Sequence, residues 1–292
     1  MSAGTRITKE GSLFSDPSRY RSTIGALQYL TYTRPDIAFS VNKLSQFLAS
    51  PTVDHWTACK RILRYLKGSA GLGLHFKPST SLSIEVFSDA DWASSLDDRK
   101  STSGCCVYLG GNLIAWSSKK QSVVARSSCE AEYRALSQAA AEILWLTSLF
   151  KELGVSLSCC PILWCDNQGA ASLAQNPVFH ARTKHIEIDV HFIREKIASG
   201  LLKIQYVPTE HQFADVLTKA LSFSRFDFLR SKLNLVVSPT FSLRGDVRGT
   251  KINTSLDETQ AHICSLNTAQ YLCNTDCATM MVYPTKGYVT HE

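Results

Sequence analysis

Three acidic residues stand where a carboxylate has more to do than keep a surface soluble. Asp89 closes a run in which Leu82, Ile84 and Val86 alternate with Ser83, Glu85 and Phe87, and Asp166 closes the apolar run Ile162-Leu163-Trp164-Cys165. Both runs read as strands. If they are parallel neighbours, their carboxyl ends lie side by side, where open α/β sheets carry their sites. Each aspartate alone is as readily a turn or cap residue. Glu132 discriminates between the two readings. Within the helical stretch 128–153 it falls in line with Leu136, Ala139, Ile143, Leu146 and Phe150, the stripe that must pack on a sheet. Glu130 points about 160° away around that helix and has a structural task, because Ser127-Ser128-Cys129-Glu130 fits a capping box.

Carboxylates that face one buried point repel one another, and their proton affinities rise until a cation neutralises them. All-oxygen ligands favour Mg²⁺ or Mn²⁺. Two such ions can activate a water and stabilise the leaving oxygen of a phosphodiester. Asp215 is a weaker fourth candidate: in a helix expected over 212–220 the apolar stripe runs through Phe213, Val216, Leu217 and Ala220, and Asp215 lies off it. On that geometry it forms a surface ion pair with Lys219 at i+4.

The elements that must position these residues follow from period and punctuation. Three helical stretches, 17–33, 35–49 and 51–67, each begin with a proline, which the first helical turn tolerates. Strands are expected at 82–89, 103–109 and 113–117, the last two joined by Gly110-Gly111-Asn112. The long helix is stopped by Gly154. A strand at 162–166, helices at 168–174 and 183–198, a strand at 202–207 and helical segments at 212–220 and 223–233 complete the order. This is a mixed α/β sheet with packed helices, preceded by a small helical module. From about residue 238 the composition turns to Thr, Asn and Ser without a period, as in poorly ordered chain.

Composition bounds the rest. With 292 residues, 44% hydrophobic and 19% charged, the chain can bury one large core or two modest ones. No apolar run has membrane-spanning length and Met1-Ser-Ala-Gly-Thr-Arg lacks a secretory core, so a soluble intracellular protein is expected, with no membrane partner. The 10 cysteines, two pairs of them adjacent, suggest buried reduced thiols, and Cys264, Cys273 and Cys277 are too loosely spaced for a convincing zinc knuckle. A net charge of +6 permits nucleic acid without requiring it.

The motifs Ser88-Asp89-Ala90-Asp91-Trp92-Ala93, Asp98-Arg99-Lys100-Ser101-Thr102-Ser103-Gly104, Trp116-Ser117-Ser118-Lys119-Lys120-Gln121, Ala131-Glu132-Tyr133-Arg134-Ala135-Leu136, Trp164-Cys165-Asp166-Asn167-Gln168, Arg182-Thr183-Lys184-His185-Ile186 and Ala214-Asp215-Val216-Leu217-Thr218-Lys219 occur in this order. Together they resemble the C-terminal ribonuclease H region of copia-type LTR-retrotransposon Pol polyproteins. The resemblance implies a ribonuclease H-like five-stranded mixed sheet over 80–233. It also implies a site of four carboxylates, Asp89, Glu132, Asp166 and Asp215, holding two Mg²⁺ or Mn²⁺ ions, and an RNA·DNA hybrid as substrate. For Asp215 the resemblance is the only warrant. No small-molecule cofactor is implied.

Residues 17–76 resemble that family's segment joining reverse transcriptase to ribonuclease H, through Tyr20-Arg21-Ser22-Thr23-Ile24-Gly25-Ala26-Leu27-Gln28-Tyr29-Leu30 and Arg34-Pro35-Asp36-Ile37. On this reading 1–16 is an N-terminal extension, 234–292 a poorly ordered tail, and the polymerase part of the same polyprotein a partner. The family's polymerase site carries Tyr-x-Asp-Asp, whereas Asp97-Asp98 follows Ser95; primer extension by this chain is not expected. Integrase-like nucleases share the sheet but place the glutamate last, unlike the order here. A co-opted fragment that binds nucleic acid or a polymerase without cutting is the alternative. Lys100, Lys119, Lys120 and Arg126 are candidate phosphate contacts, or simply a solvated charged face. His211 lies too close to Asp215 for the loop histidine of cellular ribonucleases H, and His185 is read as a helix-surface residue.

Overall fold

Capping sets the helices at the start of the chain. The structure, a computed structural model, describes residues 7–175 and 186–237. Asp16 accepts a hydrogen bond from the Arg19 N–H and Pro17 occupies the first turn of Pro17–Leu30 (α1). Pro35–Ile37 is a 3-10 turn leading into Ala38–Ser45 (α2), which ends earlier than the expected 49. Val53–Gly68 (α3) departs from the expectation at its start. Thr52 caps it, accepting from the His55 N–H while the His55 ring accepts from the Thr52 N–H, so Pro51 precedes the cap instead of opening the helix. Tyr20, Ile24, Leu27, Val41, Leu44, Trp56 and Cys59 meet in a core of their own.

Leu72–Leu74 (β1) follows, then Ile84–Asp91 (β2), Thr102–Leu109 (β3) and Asn112–Lys120 (β4) as an antiparallel meander. Gly110 and Gly111 both have positive φ, 55° and 79°, the two-residue turn that matches strand twist and favours glycine. Ser128–Glu152 (α4) ends at Gly154, whose φ is 70°. Ile162–Cys165 (β5) then lies parallel to β2, with Phe87 opposite Trp164. Gln168–Gln175 (α5) and Glu187–Ala198 (α6) lead to Lys203–Tyr206 (β6), parallel to β5. The strand order β4-β3-β2-β5-β6 is a five-stranded mixed sheet of the ribonuclease H-like class that the motifs implied.

The two faces of the sheet bury different partners. Ile84, Val86, Leu163 and Cys165 meet Leu136, Ala139 and Ile143 of α4 on one face. On the other, Phe87, Cys106, Tyr108 and Leu113 meet Val216, Leu217, Leu229 and Ala38. The helices at the start of the chain join this second face, where the Trp116 indole N–H donates to the Thr31 carbonyl at 3.0 Å.

Two further expectations are corrected. Segment 212–220 is not an α-helix but a 3-10 turn, Phe213–Leu217, preceded by another, Thr209–His211. Phe223–Lys232 (α7) follows, capped by Ser222. Leu235–Val237 (β7) pairs antiparallel with β1, so ordered structure runs past 233; strands of three residues carry too little alternation to be read from sequence. The remainder of the 234–292 segment, residues 1–6, His185 with most of its motif, and Cys264, Cys273 and Cys277 lie outside the described residues. Among the described residues, Cys59, Cys105, Cys106, Cys129, Cys159, Cys160 and Cys165 are free thiols, and no helix is long and apolar enough to cross a membrane.

Candidate active site

β2 and β5 are the parallel pair at the centre of the sheet, so Asp89 on β2 and Asp166, the first residue past β5, come together at one edge. Asp89 lies opposite Gly104 of β3. A Cβ at Gly104 would come within 2.6 Å of Thr218 Cγ2 and 3.0 Å of the Ala214 carbonyl. Only glycine lets the 213–217 turn close down over the strand, and that turn delivers Asp215. Glu132 arrives from α4 on the sheet-facing stripe, 6% exposed. One oxygen each of Asp89, Asp166 and Asp215 lie within 4.8 Å of one another, and so do one donor atom each of Glu132, Cys165 and Asp166. The two groups share Asp166.

Burial and mutual repulsion dominate the electrostatics. Burial pushes Asp89 up to about 6, with Lys219 pulling the other way and the charges of Asp215 and Asp166 adding to the rise. Burial, then the charges of Asp89 and Asp166, push Glu132 up to about 9. Asp89 Oδ1 and Glu132 Oε2 are buried without a hydrogen-bond partner. Asp89 Oδ2 accepts from the Thr218 hydroxyl. Asp166 is held more loosely, accepting from Thr209 Oγ1 at 3.3 Å and Gln212 Nε2 at 3.4 Å. Hard oxygen donors converging from four segments, two of them buried without a hydrogen bond, fit an oxophilic divalent cation such as Mg²⁺ or Mn²⁺.

Asp215 departs from the surface position expected for it. Its pair with Lys219 exists, Nζ to Oδ1 at 2.8 Å, but the carboxylate is buried and Lys219 Nζ also lies 3.3 Å from Asp89 Oδ1. A 3-10 turn advances about 120° per residue instead of 100°, so the apolar stripe drawn at α-helical period misplaced this side chain. Arg225, from α7, holds the other Asp215 oxygen at 3.0 Å. Burial would lower the Lys219 ammonium, yet Asp89 and Asp215 beside it keep it above its ordinary value. Thr218 was visible in sequence only as part of a motif, the contact of Lys219 with Asp89 was not foreseen, and nothing local marked Arg225 as a partner.

Glu130 supplies the contrast. It is also buried, but its Oε2 accepts from the Arg126 N–H at 2.7 Å and its Oε1 pairs with Arg134 at 3.0 Å. Ser127 caps the helix through the Glu130 N–H as expected, while the glutamate reaches back one residue further than a capping box requires. Of the candidate phosphate contacts, Lys119 and Arg126 are exposed and Lys100 is half-buried. Lys120 is engaged by Asp98 at 2.9 Å and by Ser95. His211 is exposed, at the end of its 3-10 turn.

No protein-family model matches the chain. It is 48% identical over 240 residues, 82% of its length, to the retrovirus-related Pol polyprotein from transposon RE2 of Arabidopsis thaliana. It is 50% identical over 229 residues, 78% of its length, to that from transposon RE1 of the same plant. The chain belongs to the retrovirus-related Pol polyproteins of transposons. As a Pol segment it spans 16% of the length of either relative. Among solved structures, the match to the N-terminal ribonuclease H domain of rv2228c from Mycobacterium tuberculosis, as a fusion protein with maltose-binding protein, covers 52% of this chain and 98% of that one, at 15% identity and a TM-score of 0.36. The ribonuclease H-like class of this Pol segment rests on its own strand order and parallel crossovers.

Proposed function

We propose that the sheet and its helices, residues 80–233, are the ribonuclease H of a transposon Pol polyprotein, an endonuclease that cuts the RNA strand of an RNA·DNA hybrid. One observation carries the reading: four carboxylates from distant segments, Asp89, Glu132, Asp166 and Asp215, converge at the end of the central strands in two groups that share Asp166, and the buried Glu132 Oε2 has neither a hydrogen-bond nor an ion-pair partner. Structural carboxylates are hydrogen-bonded or ion-paired, as Glu130 is. Two Mg²⁺ or Mn²⁺ ions held by the four carboxylates would supply the Lewis acidity that makes water a nucleophile and stabilises the leaving oxygen.

The remaining side chains orient that set. Thr218 fixes one oxygen of Asp89, Gln212 bridges the Ser88 carbonyl and Asp166, and Lys219 with Arg225 holds Asp215. Lys119 and Arg126, both exposed, would receive backbone phosphates; Lys120, already paired, would contribute less. Asp97 and Asp98 sit in the exposed loop after β2, and primer extension by this chain is not part of the proposal. The test is incubation of the full chain with an end-labelled hybrid and Mg²⁺, alongside Asp166→Asn. Cleavage of the RNA strand by the parent protein alone is expected. Hybrid binding without cleavage by either protein would replace the nuclease reading with that of a co-opted nucleic-acid binder.

A further inference from the structure

The acid cluster is not chemically uniform. The group on the side of Asp215, with Asp89 and Asp166, consists of carboxylates alone. On the side of α4, Cys165 Sγ joins Glu132 and Asp166, with one donor atom from each within 4.8 Å of the others. Cys165 is the last residue of β5, fully buried, and belongs with Leu163 to the sheet face that α4 covers. Its sulfur makes only two long contacts with the next turn, accepting from the Asn167 N–H at 3.4 Å and donating to the Asn167 carbonyl at 3.6 Å. Glu132, more than nine-tenths buried, contributes an Oε2 with no hydrogen-bond partner. Asp166 closes the group and is partly open to solvent. The hydrolysis proposed above has no use for a thiol.

We propose that Glu132, Cys165 and Asp166 form a mixed sulfur–oxygen site that takes a thiophilic divalent ion, Zn²⁺ or Cd²⁺, in competition with the oxygen-bound ions; this deepens the reading of the acid cluster as a metal site. Ligand softness decides the preference. Thiolate selects zinc-like ions and carboxylate alone suits magnesium. Tetrahedral zinc with sulfur at about 2.3 Å and oxygen at about 2.1 Å places those donors about 3.6 Å apart, so a group already inside 4.8 Å closes by about an ångström at most. The fourth position falls to solvent beside Asp166. Binding forms a sulfur–metal bond and breaks the Cys165 S–H bond, the proton leaving to solvent, and no oxidant or reductant takes part. Since Asp166 also belongs to the group with Asp89 and Asp215, an ion held at Cys165 withdraws a ligand from the other position.

The test titrates the full chain with Cd²⁺ in magnesium-free buffer and reads the ultraviolet thiolate-to-cadmium charge-transfer band. The chain holds 10 cysteines, so the signal is the difference between parent and Cys165→Ser, with Cys165→Ala as a second variant and circular dichroism to check folding. The expected result is one cadmium equivalent, with its band, present in the parent and missing from both variants. Glu132→Gln keeps the thiol and removes a direct ligand; it should weaken that equivalent by more than the roughly 10- to 100-fold that loss of a supporting contact costs. An unchanged band in a folded Cys165 variant, or unchanged affinity in Glu132→Gln, overturns the proposal. If neither Cys165 variant folds, Glu132→Gln decides alone. The band needs neither hybrid nor turnover. A protein that binds Cd²⁺ as described but cuts nothing therefore retires only the nuclease reading, and one that cuts hybrid with an unchanged band retires only this one.

Discussion

The two halves of the acid cluster solve the same electrostatic problem in opposite ways. Asp215 is buried and fully compensated, with an ammonium at 2.8 Å on one oxygen and a guanidinium at 3.0 Å on the other. Glu132 is as deeply buried, but one of its oxygens has no hydrogen-bond partner and its proton affinity is pushed far above the carboxylate range. A carboxylate with protein cations is stable at neutral pH as it stands. One without them keeps its proton or waits for a cation from solution. The protein's own charges thus neutralise one half and leave the other to a bound metal, and Asp166, which belongs to both donor groups, joins them.

Asp166 is where the comparison breaks most decisively. Asp166→Asn keeps the shape and removes a negative charge from both donor groups, so cleavage of the hybrid should fall by at least about 100-fold, above the loss typical of a supporting contact. Folding should survive, because repulsion on Asp89 and Glu132 is relieved. A steady-state assay with a calorimetric Mg²⁺ titration checks it; full activity in this variant would remove Asp166 from the site.

The matched pair on α4 sharpens the contrast between a satisfied and an unsatisfied carboxylate. Glu132→Gln should abolish metal-dependent cleavage without lowering the melting temperature of the metal-free protein, since the carboxyl it replaces is largely protonated at neutral pH. Glu130→Gln should do the reverse. It weakens the Arg134 pair and costs about 1 kcal/mol of stability, yet its amide oxygen can still accept from the Arg126 N–H, and cleavage should persist. The opposite outcome, with Glu130→Gln inactive and Glu132→Gln active, would place the wrong glutamate at the sheet.

Glu132 and Asp215 also mark how far the sequence could be read. α4 is a long regular helix, so the 3.6-residue period sorted Leu136, Ala139 and Ile143 inward and carried Glu132 with them. Asp89 and Asp166 were legible because each follows a buried run, although β2 continues to Asp91, two residues past its expected end. Asp215 sits on a 3-10 turn held by tertiary contacts, including Gln212 Nε2 to the Ser88 carbonyl at 2.9 Å, and no local period reports such a turn. Lys219 was visible as an i+4 partner, but its second contact, to Asp89, is set by the approach of the turn over Gly104. Arg225 and the β1–β7 pair are likewise products of packing between distant segments.

Linkage turns the Glu132 half into a pH prediction. A carboxylate whose folded pKa is raised stabilises the fold below its unfolded pKa, and that contribution is lost as pH rises through the folded value. The metal-free protein should therefore lose stability from the ordinary carboxylate range upward, through about 6 for Asp89 and about 9 for Glu132. Saturating Mg²⁺ should reverse the trend, since it binds the deprotonated set, and stabilisation by ligand grows with its affinity. Melting temperatures of parent and Glu132→Gln, with and without Mg²⁺, isolate the effect. A metal-free difference curve that is flat across this range would mean that Glu132 titrates as an ordinary glutamate.

The smallest expected effect belongs to the compensated half. Lys219 Nζ stands between Asp215 and Asp89, near where a divalent ion would sit, so the ammonium and the metal repel each other. Lys219→Met removes that charge while keeping most of the side chain's bulk. The side chain is 34% exposed, and solvent screening limits the gain, so Mg²⁺ should bind about 3- to 10-fold tighter, equivalent to about 1 kcal/mol. The metal-free protein should become less stable at the same time, because Asp215 is left with Arg225 alone and Asp89 loses its nearest positive charge. Tighter metal binding together with lower metal-free stability is the signature of a built-in counter-ion, whereas a purely structural lysine would change stability alone. Weaker Mg²⁺ binding in Lys219→Met would show instead that the ammonium helps to shape the cation site, and the division between a self-neutralised half and a metal-dependent half would have to be abandoned.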